Sequence, residues 1–311
     1  MKSIKICLAV FLLLILSACN METNNSQTSD GTKNDSDSVG VRDHQSLTSN
    51  AILNPNLSAN NWMTIDLPEI GLKNLTFGRI AEGYVTKKDM PLPVYIFCDY
   101  ARYDNRVYHY SYLAVATDSK ILFKDLADGY DSGSYEDILY VLDVDGDGID
   151  EIVVQQNVGM SGGAGQYLSR IFKVVNDEIR EIFNSTMLDP SGDGWSVFDT
   201  GFTSEFLNGY KLKISNTITG YSTIIDISKK YIDDFFDENG KGKRNISISC
   251  DSFMEFKPED VDGDGVFEIA CLQYVSLDGH SDGVGYVKSI LKSNPQTQKF
   301  EVIQTAFIAV E

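Results

Sequence analysis

The chain is poor in histidine: it has three in 311 residues, and only His109 and His280 lie beyond residue 58. It contains no His-Glu-x-x-His motif, and the Gly-x-Ser-x-Gly pattern at residues 159–163 and 279–283 falls in Gly-rich loops between predicted strands. The sequence therefore lacks the usual signal of a zinc protease, and neither Gly-x-Ser-x-Gly match lies at the strand-to-helix turn that a serine hydrolase requires. No catalytic residue is therefore predicted, and an enzyme of this sequence would have to use unmarked aspartate and glutamate side chains.

Positive charge is also scarce. The chain carries 26 lysines and arginines against 45 aspartates and glutamates, which gives a formal net charge of −19. Proteins that bind nucleic acid need clustered basic side chains, because the phosphate backbone is densely negative. The composition therefore disfavours nucleic acid as a partner.

Cysteine is sparse as well, with five residues at positions 7, 19, 98, 250 and 271. The first two lie close to the N-terminus, so at most one disulfide can form among Cys98, Cys250 and Cys271. Cys250 and Cys271 are the closer pair in sequence. The alternative is that all three are small buried hydrophobic residues with free thiols.

The apolar run near the N-terminus, Ile6 to Leu16, is short for a membrane span and follows two lysines. This form is typical of a secretory signal peptide. The run leads into Leu-Ser-Ala-Cys, ending at Cys19, which resembles the lipobox of bacterial lipoproteins. The resemblance implies a signal peptide over residues 1–18 and a lipid on Cys19 that anchors the protein on the outer face of the bacterial cell membrane. The alternatives are an ordinary signal peptide and an uncleaved anchor.

The segment that follows is crowded with Asn, Ser, Thr and Asp and contains few large apolar side chains. Such a composition cannot bury a core, so we expect residues 19–58 to form a lipidated, disordered tether. His44 lies in this segment, and we expect no functional role for it. Residues 59–311 then remain for a folded domain.

The most informative feature of the chain is a nine-residue sequence that occurs twice. DVDGDGIDE at residues 143–151 returns as DVDGDGVFE at residues 260–268. Carboxylates at positions 1, 3 and 5 alternate with small residues, so the backbone can curl around one hard cation such as Ca²⁺. Glycine at position 6 permits the sharp turn, and the carbonyl at position 7 and the glutamate at position 9 complete the ligand set.

The sequence thus predicts two calcium sites. The predicted ligands are Asp143, Asp145, Asp147, Ile149 and Glu151 in the first loop, and Asp260, Asp262, Asp264, Val266 and Glu268 in the second. The alternative for each loop is an acidic, solvated turn. Two copies with matching positions favour calcium.

The loops are not EF-hands, because position 12 is Val154 in one copy and Cys271 in the other, where an EF-hand has glutamate. They resemble instead the loops of the FG-GAP/VCBS repeat family, which includes the integrin α-subunit head. The resemblance implies blades of a β-propeller that hold calcium structurally. The copies start 117 positions apart (260 − 143), about twice the family spacing, so we expect a blade without a recognisable loop between them.

The rest of the folded domain is typical of β-strands, with 16 Tyr and 16 Phe in the chain, many in short segments separated by Gly, Asn and Asp. After each loop the order strand, Gly-rich loop, strand, turn, strand predicts an antiparallel meander. Lys229 to Asp237 could form a turn or two of helix. The predicted fold class is all-β, built of antiparallel β-meander blades in a complete or partial β-propeller-like arrangement. Residues 93–98, 107–117, 120–123, 138–142, 151–158, 167–175, 210–216, 222–227, 267–275, 285–291 and 300–309 are the predicted strands.

Two functions from different classes fit these features. The favoured one is a surface-tethered, calcium-stabilised module that binds or adheres to an extracellular protein or a glycan. The alternative is an extracellular enzyme acting on polysaccharide. Alternation places Tyr108, Tyr110 and Tyr112 on one strand face, where they would stack on sugar rings or, as is more common for aromatic rows, pack in the core.

Overall fold

The computed structural model describes residues 48–49, 64–67, 71–103, 106–126, 130–131, 137–157, 167–188, 195–227, 235–243, 249–277 and 282–310. Contacts divide the chain into two units, Met1–Asp43 and His44–Glu311, and all described residues belong to the second. The predicted signal peptide, Cys19, most of the predicted tether and His280 lie outside the described residues. No helix in the described part is long and apolar enough to cross a membrane.

The described part is all-β, and its sheets are antiparallel, as predicted. The first sheet has seven strands in the order β1-β6-β5-β4-β3-β2, with β7 paired to β5. Its strands are β1 (Thr48–Ser49), β2 (Thr64–Leu67), β3 (Leu72–Gly83), β4 (Leu92–Tyr103), β5 (Arg106–Ala116), β6 (Ile121–Asp125) and β7 (Tyr130–Asp131).

Both faces of this first sheet are covered by apolar contacts. Along β5, Leu113 and Val115 belong to one core cluster, and Tyr112 and Ala114 belong to another. Tyr112 is buried and stacks on Phe123 of β6, with ring centroids 5.4 Å apart. At this position the predicted tyrosine row packs in the core, which is the commoner of the two roles considered for it.

The two acidic sequences lie in two four-stranded sheets with the same connectivity. One sheet has the order β11-β10-β9-β8 and the other β17-β18-β19-β20, so each is a simple meander. The first sheet consists of β8 (Ile138–Leu142), β9 (Glu151–Asn157), β10 (Tyr167–Val175) and β11 (Glu178–Asn184). The second consists of β17 (Ser249–Glu259), β18 (Glu268–Ser276), β19 (Gly283–Asn294) and β20 (Lys299–Ala309).

Two smaller sheets lie between them in sequence. One is a two-stranded pair of β12 (Thr186–Leu188) and β13 (Trp195–Val197). The other is a three-stranded meander of β14 (Phe202–Leu207), β15 (Lys211–Asn216) and β16 (Ser222–Asp226).

One hydrophobic core joins the two four-stranded meanders. Phe183 of β11 stacks on Phe256 of β17 at a centroid distance of 5.4 Å and meets Phe300 of β20 edge-on at 5.3 Å. Val153 of β9 and Ile269 of β18, which follow the two acidic sequences, are fully buried in the same cluster. Each fully buried side chain of this size contributes about 1.5 to 3 kcal/mol, so the cluster holds the two meanders together.

The propeller expectation is not met by the described residues. Their sheets have seven, four, two, three and four strands, and no strand order returns to its starting strand. A propeller requires blades of equal strand number repeated around an axis. The segment between the two loops, where we expected a further blade, holds the two-stranded and three-stranded sheets.

The bounds of several strands agree with the sequence pattern, and β8 and β10 match residue for residue. The long strands β3 and β17 were not predicted. Most of the predicted helical turn at 229–237 lies outside the described residues. The three cysteines of the domain are free: Cys98 and Cys271 are buried, and burial raises the pKa of the half-buried Cys250 to about 12.

Candidate metal centre

Both acidic sequences form the first connection of their meander. The first loop joins β8 to β9, and its last residue, Glu151, begins β9. The second joins β17 to β18 and ends in Glu268, the first residue of β18. The two glutamates are almost completely buried, at 0% and 1% exposure, and most of the remaining loop residues are partly or fully exposed. The carboxylates of each loop are therefore distributed from the exposed surface to the edge of the core.

The aspartate at position 1 organises each loop from inside. The amides of Gly146 and Gly148 donate to the two carboxylate oxygens of Asp143, both at 2.7 Å. In the second loop the amides of Gly263 and Gly265 donate to Asp260 at 2.7 and 3.2 Å. A carboxylate held by two backbone amides is fixed in position, and the chain must curl around it.

The other carboxylates are held in the same way in both copies. The position 3 aspartate accepts from the position 5 amide, at 3.2 Å for Asp145 and 3.3 Å for Asp262. The position 5 aspartate accepts from the amide of Ile149 or Val266, at 2.8 Å in each loop. The position 9 glutamate accepts from the position 2 amide, at 3.0 Å in each loop. The sequence match is thus also a match of hydrogen bonds.

Glycine is needed at two positions of each loop. Gly146 and Gly148 have φ of 81° and 79°, and Gly263 and Gly265 have φ of 77° and 87°. These values lie in the left-handed region, where a side chain would strain the backbone. The repeated Gly-x-Gly therefore permits the curl that brings the carboxylates together.

The structure brings together three of the five predicted ligands in each loop. The carboxylates of Asp143, Asp145 and Glu151 offer oxygens that all lie within 4.8 Å of one another, and Asp260, Asp262 and Glu268 do the same. Asp147 and Asp264 are not members of these groups. Ile149 and Val266, predicted to act through their carbonyls, contribute amide hydrogen bonds to the loop framework.

A lysine that the sequence analysis missed lies at each loop. Lys173 of β10 contacts Asp145, and its Nζ lies 2.9 Å from both Asp147 Oδ2 and Glu151 Oε1. Strand register explains the position: Phe172 pairs with Ile152, so the next residue of β10 comes beside Glu151.

The second loop has the same arrangement. Leu291 of β19 pairs with Ile269, and the next residue is Lys292. Its Nζ lies 2.5 Å from Glu268 Oε1, 3.0 Å from Asp262 Oδ2 and 3.9 Å from Asp264 Oδ2. The sequence signal was a lysine 22 residues after one glutamate (173 − 151) and 24 after the other (292 − 268).

In the first loop, the carboxylates and the Lys173 ammonium group shift each other's pKa. Burial raises the pKa of Glu151 to about 7, against the opposing effects of Lys173 and the Val144 amide. The pKa of Lys173 is raised, because hydrogen bonds to Asp145, Glu151 and Asp147 outweigh its desolvation. The first loop therefore combines dense negative charge with partial burial, which disfavours the charged form of Glu151 unless a positive charge lies nearby.

The two loops also contact each other directly. The amide of Phe267, at position 8 of the second loop, donates to the carbonyl oxygen of Asp143 in the first at 2.9 Å. Val144 is buried in the core cluster that includes Phe267. The two loops are thus joined by a backbone hydrogen bond and share a core cluster. A change in the conformation of one loop therefore affects the other.

An open cleft of about 540 Å³ borders the first loop. One side carries Asp145, Lys173 and Arg180, and the other carries Gln298 and Phe300 from the β19–β20 hairpin. The cleft therefore presents charges of both signs and an amide to a ligand, above the buried ring of Phe300.

Comparison with known proteins adds one family and one relative. The family profile named YybI C-terminal domain matches residues 200–308, which include the three-stranded sheet and most of the second loop's meander. The chain is also 28% identical over 169 residues to "Uncharacterized protein YybI" of Bacillus subtilis (strain 168). The match covers 53% of this chain and 61% of that relative. No solved structure matches the chain.

These matches correct the family inferred from the loops. The profile that covers the second loop is that of the YybI C-terminal domain, and no FG-GAP or VCBS profile matches, so the predicted membership of that family is wrong. The physical reason is that a short Asp-x-Asp-x-Asp-Gly loop encodes local ion geometry, which recurs on different folds. The motif indicates what the loop can hold and does not identify the fold around it.

Proposed function

We propose that this protein is a lipid-anchored, extracytoplasmic binding module whose all-β domain is stabilised by two calcium ions. The observation that carries the proposal is the pair of loops with matched carboxylates, matched amide hydrogen bonds and left-handed glycines. The ligand of the module would be an extracellular protein or a glycan.

Calcium is the ion that this donor set favours. Each loop offers only oxygen ligands, and the five carboxylates of the first loop and four of the second give a high local negative charge. Ca²⁺ accepts six to eight oxygens in flexible geometry, whereas Mg²⁺ demands a tight octahedral shell. Asp143, Asp145 and Glu151 would form the base of the first site, and Asp260, Asp262 and Glu268 that of the second.

The role proposed for calcium is to fix the two meanders as matched, blade-like units. Each loop clamps the first connection of its meander, and the loops meet through Phe267 and Asp143 beside the shared core. An ion in either loop would hold the glutamate at the start of β9 or β18 in place. Calcium would then stabilise the domain at the point where the two meanders join.

The proposed location rests on the N-terminal sequence. The signal-like segment, the lipobox ending at Cys19 and the polar stretch after it would display the domain outside the cell on a tether. Extracellular modules commonly bind calcium at 10⁻⁴ to 10⁻³ M, so calcium in that concentration range outside the cell would occupy the loops.

The cleft beside the first loop is the proposed ligand site. Arg180 and Gln298 could hydrogen-bond to hydroxyl or carboxylate groups of a ligand, and Phe300, which packs in the core, would form the apolar floor of the site. Because Asp145 belongs both to the cleft and to the first carboxylate group, ligand binding would depend on calcium.

Glycan and peptide arrays probed with the full chain in detergent, with calcium and with chelator, test this function. We expect ligands retained in calcium and released by chelator, and loss of retention in the Arg180→Ala variant, because the Arg180 side chain lines the cleft and is 52% exposed. Hydrolysis of polysaccharide by the wild-type chain, with no retained ligand, would instead support the enzyme alternative.

A further inference from the structure

A lysine from a neighbouring strand places a positive charge at each loop. Lys173 and Lys292 come from the third strand of their meanders, at equivalent register positions, and each places its ammonium group among the carboxylates at positions 3, 5 and 9. A lysine on a strand face usually extends into water. Here two lysines, more than a hundred residues apart, make the same contacts.

We propose that Lys173 and Lys292 are internal counter-ions that hold the loops in the calcium-free protein and are displaced when calcium binds, so that they set the calcium affinity of the two sites. This inference rests on the proposed calcium function and adds to it the residues that control the affinity.

Competition follows from the shared carboxylates. The three-carboxylate group of the first loop includes Asp145 and Glu151, and both contact Lys173. In the second loop Asp262 and Glu268 belong to the group and contact Lys292. An ammonium group and a calcium ion cannot use the same lone pairs, and they repel each other at close range. Calcium must therefore move the lysine out before it can complete its shell.

The lysines would also stabilise the loops in the absence of calcium. The five carboxylates of the first loop and the four of the second repel one another, and the position 9 glutamates are buried. A buried carboxylate without a partner is strongly destabilising. The ammonium group neutralises part of the charge, so the fold persists when calcium is absent.

The competition is stronger in the first loop. Lys173 contacts three carboxylates within 2.9 Å, whereas the Asp264 contact of Lys292 is long, at 3.9 Å. The Lys173 side chain is 17% exposed and that of Lys292 is 35% exposed, so water screens the first cluster less. The ammonium group of Lys88 also lies over Gly148 and adds positive charge to the first loop. Removal of the lysine should therefore raise calcium affinity more in the first loop than in the second.

Calcium titration calorimetry of the full chain in detergent tests the inference. We expect Lys173→Met to tighten one calcium site by about tenfold or more, the factor that corresponds to one charge-assisted hydrogen bond, and Lys292→Met to tighten the other by less. Lys211→Met is the matched control, because it removes the same charge from a surface pair with Asp226 in the three-stranded sheet. Its affinities should equal those of the wild type.

Lys173→Arg keeps the positive charge and separates competition from a general change in packing. Its calcium affinity should not rise, and an increase equal to that of Lys173→Met would overturn the inference. If a methionine variant unfolds in chelator and refolds in calcium, that dependence supports the counter-ion role. If wild type and both methionine variants bind calcium equally, the inference is wrong and the proposed calcium sites stand. If none of the folded proteins binds calcium, the proposed function itself is wrong.

Discussion

Removal of calcium should lower the thermal stability of the protein by a predictable amount. Extracellular modules commonly bind calcium at 10⁻⁴ to 10⁻³ M, so about 2 mM calcium stabilises the folded state by roughly 0.6 to 1.8 kcal/mol per site through mass action. Two sites contribute about 1 to 4 kcal/mol together. A domain of about 250 residues shifts by roughly 2 to 4 °C per kcal/mol, so the melting temperature should rise by about 2 to 16 °C.

The perturbation that localises this effect is neutralisation of one ligand in each loop. Asp145→Asn and Asp262→Asn keep the shape of the side chain and remove a charge that the proposed ion needs. Each single variant should lose about half of the calcium-induced shift, and the double variant should lose nearly all of it. Differential scanning calorimetry in calcium and in chelator measures the shift.

Asp226→Asn is the control, because Asp226 is 81% exposed and lies in the three-stranded sheet, outside both loops. It should keep the full shift. Magnesium at the same concentration should produce a smaller shift than calcium, since it requires a tighter shell. Identical melting temperatures in calcium and in chelator for the wild-type chain would refute the reasoning.

Three further predictions concern the loop backbone, the core and the anchor. Gly265→Ala should destabilise the protein by about 1 to 2 kcal/mol in urea unfolding, because φ at this position is 87° and the added Cβ meets open space, so backbone strain is the only cost. An unchanged unfolding midpoint would contradict this prediction. Phe183→Ala should cost about 3 to 5 kcal/mol in the same assay, and Ile224→Ala, at 55% exposure, should change little. Cys19→Ser should release the protein from membranes or leave it unprocessed in cell fractionation, and unchanged lipid labelling would exclude the lipobox.

The loops and many strands could be predicted because their signals are local. Alternating aspartate and glycine dictates a curled backbone, and Ile152 to Val154 directly after it is a run of buried β-formers. Strand β3 was missed because Asn74 and Gly78 interrupt its pattern. Strand β17 was missed because it contains Pro258 and alternates poorly.

The lysines and the family could not be predicted for a different reason. Lys173 reaches Glu151 only because β10 pairs with β9 in one particular register, and composition does not specify a register. The contact between Phe267 and Asp143 depends on how two meanders share a core, which is a tertiary property. The family resemblance failed because it depended on the loop, the part of the sequence least tied to the fold.

The most direct test of the calcium sites is a crystal structure of the protein grown in calcium, with anomalous diffraction data. The account predicts two anomalous peaks, one bounded by Asp143, Asp145 and Glu151 and the other by Asp260, Asp262 and Glu268, with both lysine side chains turned away from the loops. Loops without anomalous density, with Lys173 and Lys292 still held by the carboxylates at millimolar calcium, would contradict it.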